Sequence, residues 1–284
     1  MKIPKRLQPL VDDGLIDDVL QRLKSGKEAD VYTVLCGDKI QCAKVYKEAM
    51  QRSFKQAVQY QEGRKVRNTR NARAMQKSSK FGRKQQEESW QTAEVEALFR
   101  LANAGVRVPQ PYICIDGVLL MELVTDVDGA VAPRLSDVIL TEESAIADFD
   151  TMIRNIVRML CVGIVHGDLS EFNVLIDAQG PVIIDLPQAV DAAANNHAES
   201  MFTRDVNNIT AYYGQFAPQL LQTRYAQEIW MLYEDGKLTP ETALTGLFVE
   251  AVHEVDMGSL IDEIIAAEDE FYERQRAKKE RDDE

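Results

Sequence analysis

The sequence predicts an α+β protein of two lobes, with a β-rich N-terminal half and a mainly helical C-terminal half. Three observations predict it. Short β-branched runs joined by hairpin dipeptides crowd the first 124 residues. Helical periodicity dominates the remainder of the chain. A polar loop, His166 to Asn173, opens a short hairpin inside that helical half. Strands first and helices afterwards describe an α+β architecture. At 284 residues, 45% of them hydrophobic, the chain can fill the cores of two packed lobes.

An amphipathic stretch from Leu7 to Leu23 leads into Lys24-Ser25-Gly26-Lys27-Glu28-Ala29-Asp30-Val31-Tyr32. Strands are expected at Val31–Leu35 and Lys39–Tyr46, joined by Gly37-Asp38. Val95, Leu98, Phe99 and Leu101 mark a helix over Glu88–Ala104, which Gly105 ends. Strands at Tyr112–Ile115 and Val118–Leu123 turn at Asp116-Gly117. The lobe boundary falls near Thr125–Gly129, dividing the chain into 1–124, 125–265 and a charged helical tail, 266–284. Helices are expected at about 136–162, 200–214, 217–234, 240–252 and 258–280.

The densest chemical text is His166-Gly167-Asp168-Leu169-Ser170-Glu171-Phe172-Asn173 followed by Ile183-Ile184-Asp185. An Asp, an Asn five residues on, and a second Asp past an apolar run give the order of a kinase-like phosphotransferase. Such an enzyme needs a carboxylate to orient a hydroxyl and two oxygen ligands for magnesium. VLID-AQGP-VIID reads as two strands around a Gly-Pro turn, holding Asn173 at one strand's start and Asp185 at the other's end. At the N-terminal end, Gly26 opens a turn whose backbone N–H groups could cover phosphates. In Gln41-Cys42-Ala43-Lys44-Val45-Tyr46, alternation puts Cys42 and Lys44 on one face, an A-x-K-like arrangement for adenine packing and phosphate binding. Lys39 and Lys47 flank that strand and read as surface residues. Of Glu94 and Glu96, Glu94 lies nearer the buried border of its helix and is the better partner for Lys44. Leu119–Val124 runs into the lobe boundary, where backbone around Glu122 to Val124 would read the adenine edge.

These residues match a family. SGKEADVY, CAKVYK, AEVEALFRLANAGVRVPQPY, LLMEL, HGDLSEFN, IIDLPQAV and FTRDVNNI together resemble the RIO family of atypical serine/threonine protein kinases, most of all its first subfamily, from about residue 10 to 215. The resemblance implies a protein-kinase-like fold that takes ATP with Mg2+ or Mn2+. It implies Asp168 as catalytic base, Lys44 and Glu94 as the phosphate-binding pair, and Asn173 and Asp185 as metal ligands. Ser25, Lys27, Val31, Cys42, Glu122 and Val124 complete the expected nucleotide contacts. Cys42 stands where Ala or Val is usual, and Leu186-Pro187 comes after the metal Asp where other residues are commoner. No A-P-E sequence appears, so the peptide-docking platform of ordinary protein kinases is not expected and the protein substrate stays open. His166 is read as a brace for the loop, and Arg204-Asp205 as an ion pair beneath it. His197 and His253 are assigned no role.

Composition narrows the setting. Cys36, Cys42, Cys114 and Cys161 form no C-x-x-C pair, which argues for a cytoplasmic protein without structural zinc or disulfides. No run approaches the roughly 20 apolar residues of a membrane span. A net charge of −13 disfavours general nucleic-acid binding, yet Arg64 to Lys84 carries nine basic residues and no acid, within a flexible loop expected at 55–87. Two other readings are open: a small-molecule phosphotransferase, since HGDLxxxN occurs in such families, and an ATP-gated ribosome-maturation factor whose Arg64–Lys84 segment grips RNA. Ser78, Ser79 and Ser89 are candidate autophosphorylation sites.

Overall fold

A short helix and a strand, not one amphipathic element, open the chain. α1 (Gln8–Asp12) ends at Asp13, and Gly14, at φ +72°, turns the backbone toward β1 (Asp18–Ser25). These positions come from a computed structural model that describes residues 3–26, 28–47 and 80–248, with only the backbone of 80–91. Lys27, residues 64–79 of the basic segment with Ser78 and Ser79, His253, the expected helix at 258–280 and the tail 266–284 lie outside the described residues. The Ser89 side chain lies outside them too.

β1 joins β2 (Ala29–Cys36), β3 (Lys39–Tyr46), β4 (Pro111–Ile115) and β5 (Val118–Glu122) in one antiparallel sheet, ordered β1-β2-β3-β5-β4. Gly37 supplies a φ of +61° in the β2–β3 turn. Asp116 and Gly117 both hold positive φ, +49° and +74°, the tight turn that matches strand twist. Period-two alternation sorts the sheet's faces. Val34, Ala43, Val45, Val118 and Leu120 pack against Leu7, Leu10 and Ile16. Cys42 and Lys44 point the other way, opposite Met121 and Leu119 of β5.

α2 (Lys80–Asn103) crosses that second face with Leu98 and Leu101 buried, and Gly105, at φ +73°, ends it. It begins eight residues before the expected Glu88. No apolar periodicity precedes Glu88, so the pattern offers no mark for the true start.

The helical lobe is centred on α3 (Glu142–Cys161), whose Phe149, Met152, Ile153, Ile156 and Leu160 are buried. α3 starts at Glu142 and not near 136, because Thr141 and Ser144 form a reciprocal cap: the Thr141 hydroxyl accepts from Ser144 N at 3.2 Å while Thr141 N donates to Ser144 Oγ at 3.0 Å. α4 (Ala198–Tyr213) and α5 (Tyr225–Glu234) pack beside it. The helix expected at 217–234 is thus two pieces, a 3-10 turn at Pro218–Gln222 and α5, broken at extended Thr223. The described part of the helix expected at 240–252, residues 240–248, is irregular. Buried Glu228 captures it by accepting from Thr245 N and Gly246 N at 2.8 and 2.7 Å, and Gly246 sits at φ +68°.

Two small ladders serve the polar loop. β6 (Ile164–Val165) pairs with β9 (Val190–Asp191), and β7 (Val174–Asp177) pairs with β8 (Gly180–Ile183). The hairpin turn is at Ala178-Gln179, where Asp177 Oδ1 accepts from Gln179 N at 2.6 Å; Gly180 and Pro181 belong to the strand. No helix among the described residues is long and apolar enough to cross a membrane.

The lobes are stitched behind the cleft. Arg107, between α2 and β4, binds both Glu122 oxygens at 2.8 Å and Asp177 Oδ2 at 2.5 Å. Its backbone N donates to Asn155 Oδ1 at 3.1 Å, and its carbonyl accepts from Ile183 N at 2.9 Å.

Candidate active site

A cavity of about 660 Å³ opens between sheet and hairpin. One wall is apolar: Leu23 of β1, Val31 of β2, Cys42 of β3, Leu119 and Met121 of β5, then Val124, Leu175 and Ile184. At its other end are Lys44, Glu94 and Asp185. Apolar walls with a few converging polar groups are the usual form of a small-molecule site.

Lys44 pairs across the sheet with Val31 and Leu119, so its side chain leaves the sheet between apolar neighbours. Only 14% exposed, its ammonium meets Glu94 Oε1 at 2.5 Å and Asp185 Oδ1 at 3.6 Å. Burial alone would drive it toward neutrality. Glu94 and Asp185 outweigh that and hold it above the ordinary lysine value, so it stays cationic. Tyr46, two residues on, places its ring centroid 5.5 Å from the ammonium. Glu94 is buried on α2 while Glu96 is exposed. Burial pushes the Cys42 thiol up to about 12, so it stays protonated.

The polar loop is held from below. Gly167, at φ +81°, donates its N–H to Asp205 Oδ2 at 2.7 Å, and Leu169 N donates to Oδ1 at 3.0 Å. Arg204 donates to the Gly167 carbonyl, and Asn208 Nδ2 donates to Leu169 O at 3.1 Å. Arg204 and Asp205 approach only to 4.0 Å; the Asp205 carboxylate serves the loop amides more closely than it serves that arginine. Burial raises Asp205 to about 6, against His166 and the two amides. His166 is buried, with Nε2 3.1 Å from Ile184 O and Nδ1 accepting from Asp168 N at 3.3 Å. Those contacts fit the tautomer with its hydrogen on Nε2. Asp168 itself is exposed at the loop's edge.

Asn173 and Asp185 flank the hairpin, and Ile184 N donates to Asn173 O at 2.9 Å, closing its open end. Asp185 stands at φ +69°, a strained setting for a non-glycine residue and often a mark of function. Asn173 Nδ2 donates to Asp168 O at 2.8 Å, leaving the amide Oδ1 for another partner. That oxygen and the Asp185 carboxylate suit a hard cation. Among the described residues no group of three or more His, Cys, Asp or Glu is placed to hold a metal, so an ion here would take its remaining ligands from phosphate and water.

Of the nucleotide contacts expected from sequence, Val31, Cys42, Lys44, Glu122 and Val124 line the cavity. The Glu122 side chain turns away to Arg107, so backbone is what this stretch offers. Ser25 is not on the cavity wall; its hydroxyl accepts from Lys47 Nζ at 3.3 Å. Lys47 is no bystander on the surface: at 23% exposed it also donates to Gly26 O at 2.8 Å and meets Asp30 Oδ1 at 3.1 Å. Position beside a strand could not reveal that, because the partners come from a turn 21 residues earlier. Arg107 and Gln188 were also unmarked in the sequence. Their partners are fixed by packing and not by local spacing.

A model of the RIO domain family matches residues 30–226. The RIO-type serine/threonine-protein kinase Rio1 of Haloferax volcanii is 34% identical over 205 residues, covering 72% of this chain and 66% of that protein. The serine/threonine-protein kinase rio1 of Schizosaccharomyces pombe is 30% identical over 249 residues, covering 85% of this chain and 47% of its own. The human serine/threonine-protein kinase RIO1 is 27% identical over 230 residues, covering 80% and 38%. This chain therefore spans between 38% and 66% of the length of these relatives.

Proposed function

This chain belongs to the RIO family, and from that premise we propose that it transfers the γ-phosphoryl group of ATP to a Ser or Thr hydroxyl, on another protein or on itself. The observation that carries the reading is the meeting of Lys44, Glu94 and Asp185 at one end of an apolar cleft, with Asp168 off the cavity wall but in contact with its Gln188. Val31 and Cys42, side by side on one face of the sheet, pack against one side of adenine, and backbone from Glu122 to Val124 reads its edge. Lys44, aimed by Glu94, binds the α- and β-phosphates. The β1–β2 turn, whose Gly26 lines the cavity, offers its backbone to the phosphates. Asn173 and Asp185 are the residues that would hold Mg2+, or Mn2+ in its place, and an ion there would supply charge neutralisation for the phosphates. Asp168 orients the acceptor hydroxyl and takes its proton as the new P–O bond forms and ADP leaves. Most of the rate enhancement then comes from positioning and fixed charge. On this reading residues 1–124 are the nucleotide lobe and 125–265 the catalytic lobe, with 266–284 a charged tail.

Incubation with γ-labelled ATP and Mg2+, with and without cell extract, tests the proposal. Transfer should be seen with the wild type and fall at least about 10²-fold in Asp168→Asn, while a fluorescent ATP analogue still binds. Asp185→Ala should be silent. Transfer by Asp168→Asn at the wild-type rate removes Asp168 from the role of base. Robust turnover of choline, sugars or aminoglycosides would replace the protein-kinase reading.

A further inference from the structure

Several cavity-lining side chains have no part in that chemistry, and one of them meets the proposed base. Gln188, three residues past Asp185, lies half-buried on the cavity wall and donates Nε2 to Asp168 Oδ2 at 3.3 Å. The meeting is built into the fold. Val165 pairs with Val190 and Ile164 with Asp191, so the strand leading into the loop lies antiparallel to the segment just after Gln188. Buried Leu186 anchors the near side, and Ala189 N closes a turn on Leu186 O at 3.0 Å. Register and turn together leave Gln188 opposite the loop, two residues before Val190 as Asp168 is three after Val165.

We propose that Gln188 is a positioning residue for phosphoryl transfer. Its amide holds the Asp168 carboxylate by Oδ2 and leaves Oδ1 to the acceptor hydroxyl. This rests on the assignment of Asp168 as the base. An exposed aspartate on a loop otherwise samples several rotamers, and misplacement of a reacting group by about 1 Å lowers rates by about 10²-fold. A neutral amide suits the task because it donates without competing for the proton. The chain places a donor where an acceptor side chain of the same shape would repel the base.

The contrast between donor and acceptor supplies the test. Gln188→Glu keeps shape and volume but sets a carboxylate against Asp168, whereas Gln188→Ala only removes the donor. If Gln188 merely packs, Glu is the milder change. If it positions the base, Glu is the worse one. With γ-labelled ATP and saturating acceptor, Ala should lower kcat about 10-fold and Glu about 10²-fold, with KM for ATP and the unfolding temperature close to wild type. Equal kcat in all three proteins, or Glu more active than Ala, overturns the proposal while leaving the kinase reading intact. The same holds if KM for ATP rises and kcat is unchanged. A wild-type protein that transfers no phosphate overturns both.

Discussion

Asp205 shows how much of the site depends on one atom's identity. Its two oxygens each accept a loop amide, a demand that a carboxylate meets and an amide cannot. In Asp205→Asn one N–H donor would face an NH2 group, at a cost of about 1–3 kcal/mol. We expect a lower unfolding temperature and, beyond that, loss of phosphate transfer at temperatures where the variant remains folded; circular dichroism alongside the transfer assay separates the two. Sequence placed Asp205 beneath the loop as the partner of Arg204 and not as an acceptor of loop amides, because those backbone groups are 36 and 38 residues away. Lys44 and Glu94 were legible for the opposite reason. Strand alternation and the apolar stripe of a helix are local rules, and they assign a face before any partner is known. Asp168, Asn173 and Asp185 were legible by order, but the positive φ of Asp185 has no counterpart in composition.

Elements whose ends are set by local chemistry could be read closely, and those whose ends are set by distant contacts could not. The β2–β3 and β4–β5 turns carry Gly37 and Asp116-Gly117, and both hairpins fell where those residues predict. The β1–β2 turn closes through Gly26 N to Ala29 O at 2.9 Å, but Gly26 does not take the positive φ of Gly37. Lys47, from the far end of β3, fastens its Ser25, Gly26 and Asp30 together, and Lys47 N donates to Glu28 O at 2.8 Å. A turn with one glycine is held in shape by a side chain from outside it. Lys47→Met keeps the aliphatic stem and removes the ammonium. It should weaken binding of a fluorescent ATP analogue by about 10-fold, or about 1.4 kcal/mol, with little change in unfolding temperature, since a part-exposed ion pair contributes about 1 kcal/mol or less. The stretch 240–248 illustrates the converse. Its composition permits helix, but the buried Glu228 carboxylate claims its amides first.

Besides Lys44 with Asp185, a second charge cluster joins the two lobes. Arg107 (28% exposed) bridges Glu122 (27%) at the end of β5 and Asp177 (7%) at the tip of the catalytic hairpin. Removing it in Arg107→Ala leaves two carboxylates near each other, one of them buried, and should destabilise the protein by about 2–3 kcal/mol. The dependence on pH has a definite sign. Burial opposes ionisation of Glu122, but the hydrogen bonds from Arg107 and Gln110 win and hold its carboxyl below the ordinary 4.5. Stability from this depressed group is fully present above that value and is lost as pH falls through its lower folded value. Thermal melts from pH 7 downward should therefore show wild type and Arg107→Ala converging below about pH 4.5. A constant gap across that range would exclude Glu122 from the bridge. Two-lobed architecture was legible from the succession of strands and helices; this bridge was not, because its three residues are 15 and 70 positions apart. The bridge also bears on inhibitor design. A guanidinium that grips both halves sets the width of the crevice before any small molecule arrives, so little freedom remains to be frozen at the moment of capture. Rigid, flat heterocycles cut to that fixed aperture should then lose less affinity to induced adjustment than flexible analogues of equal contact area.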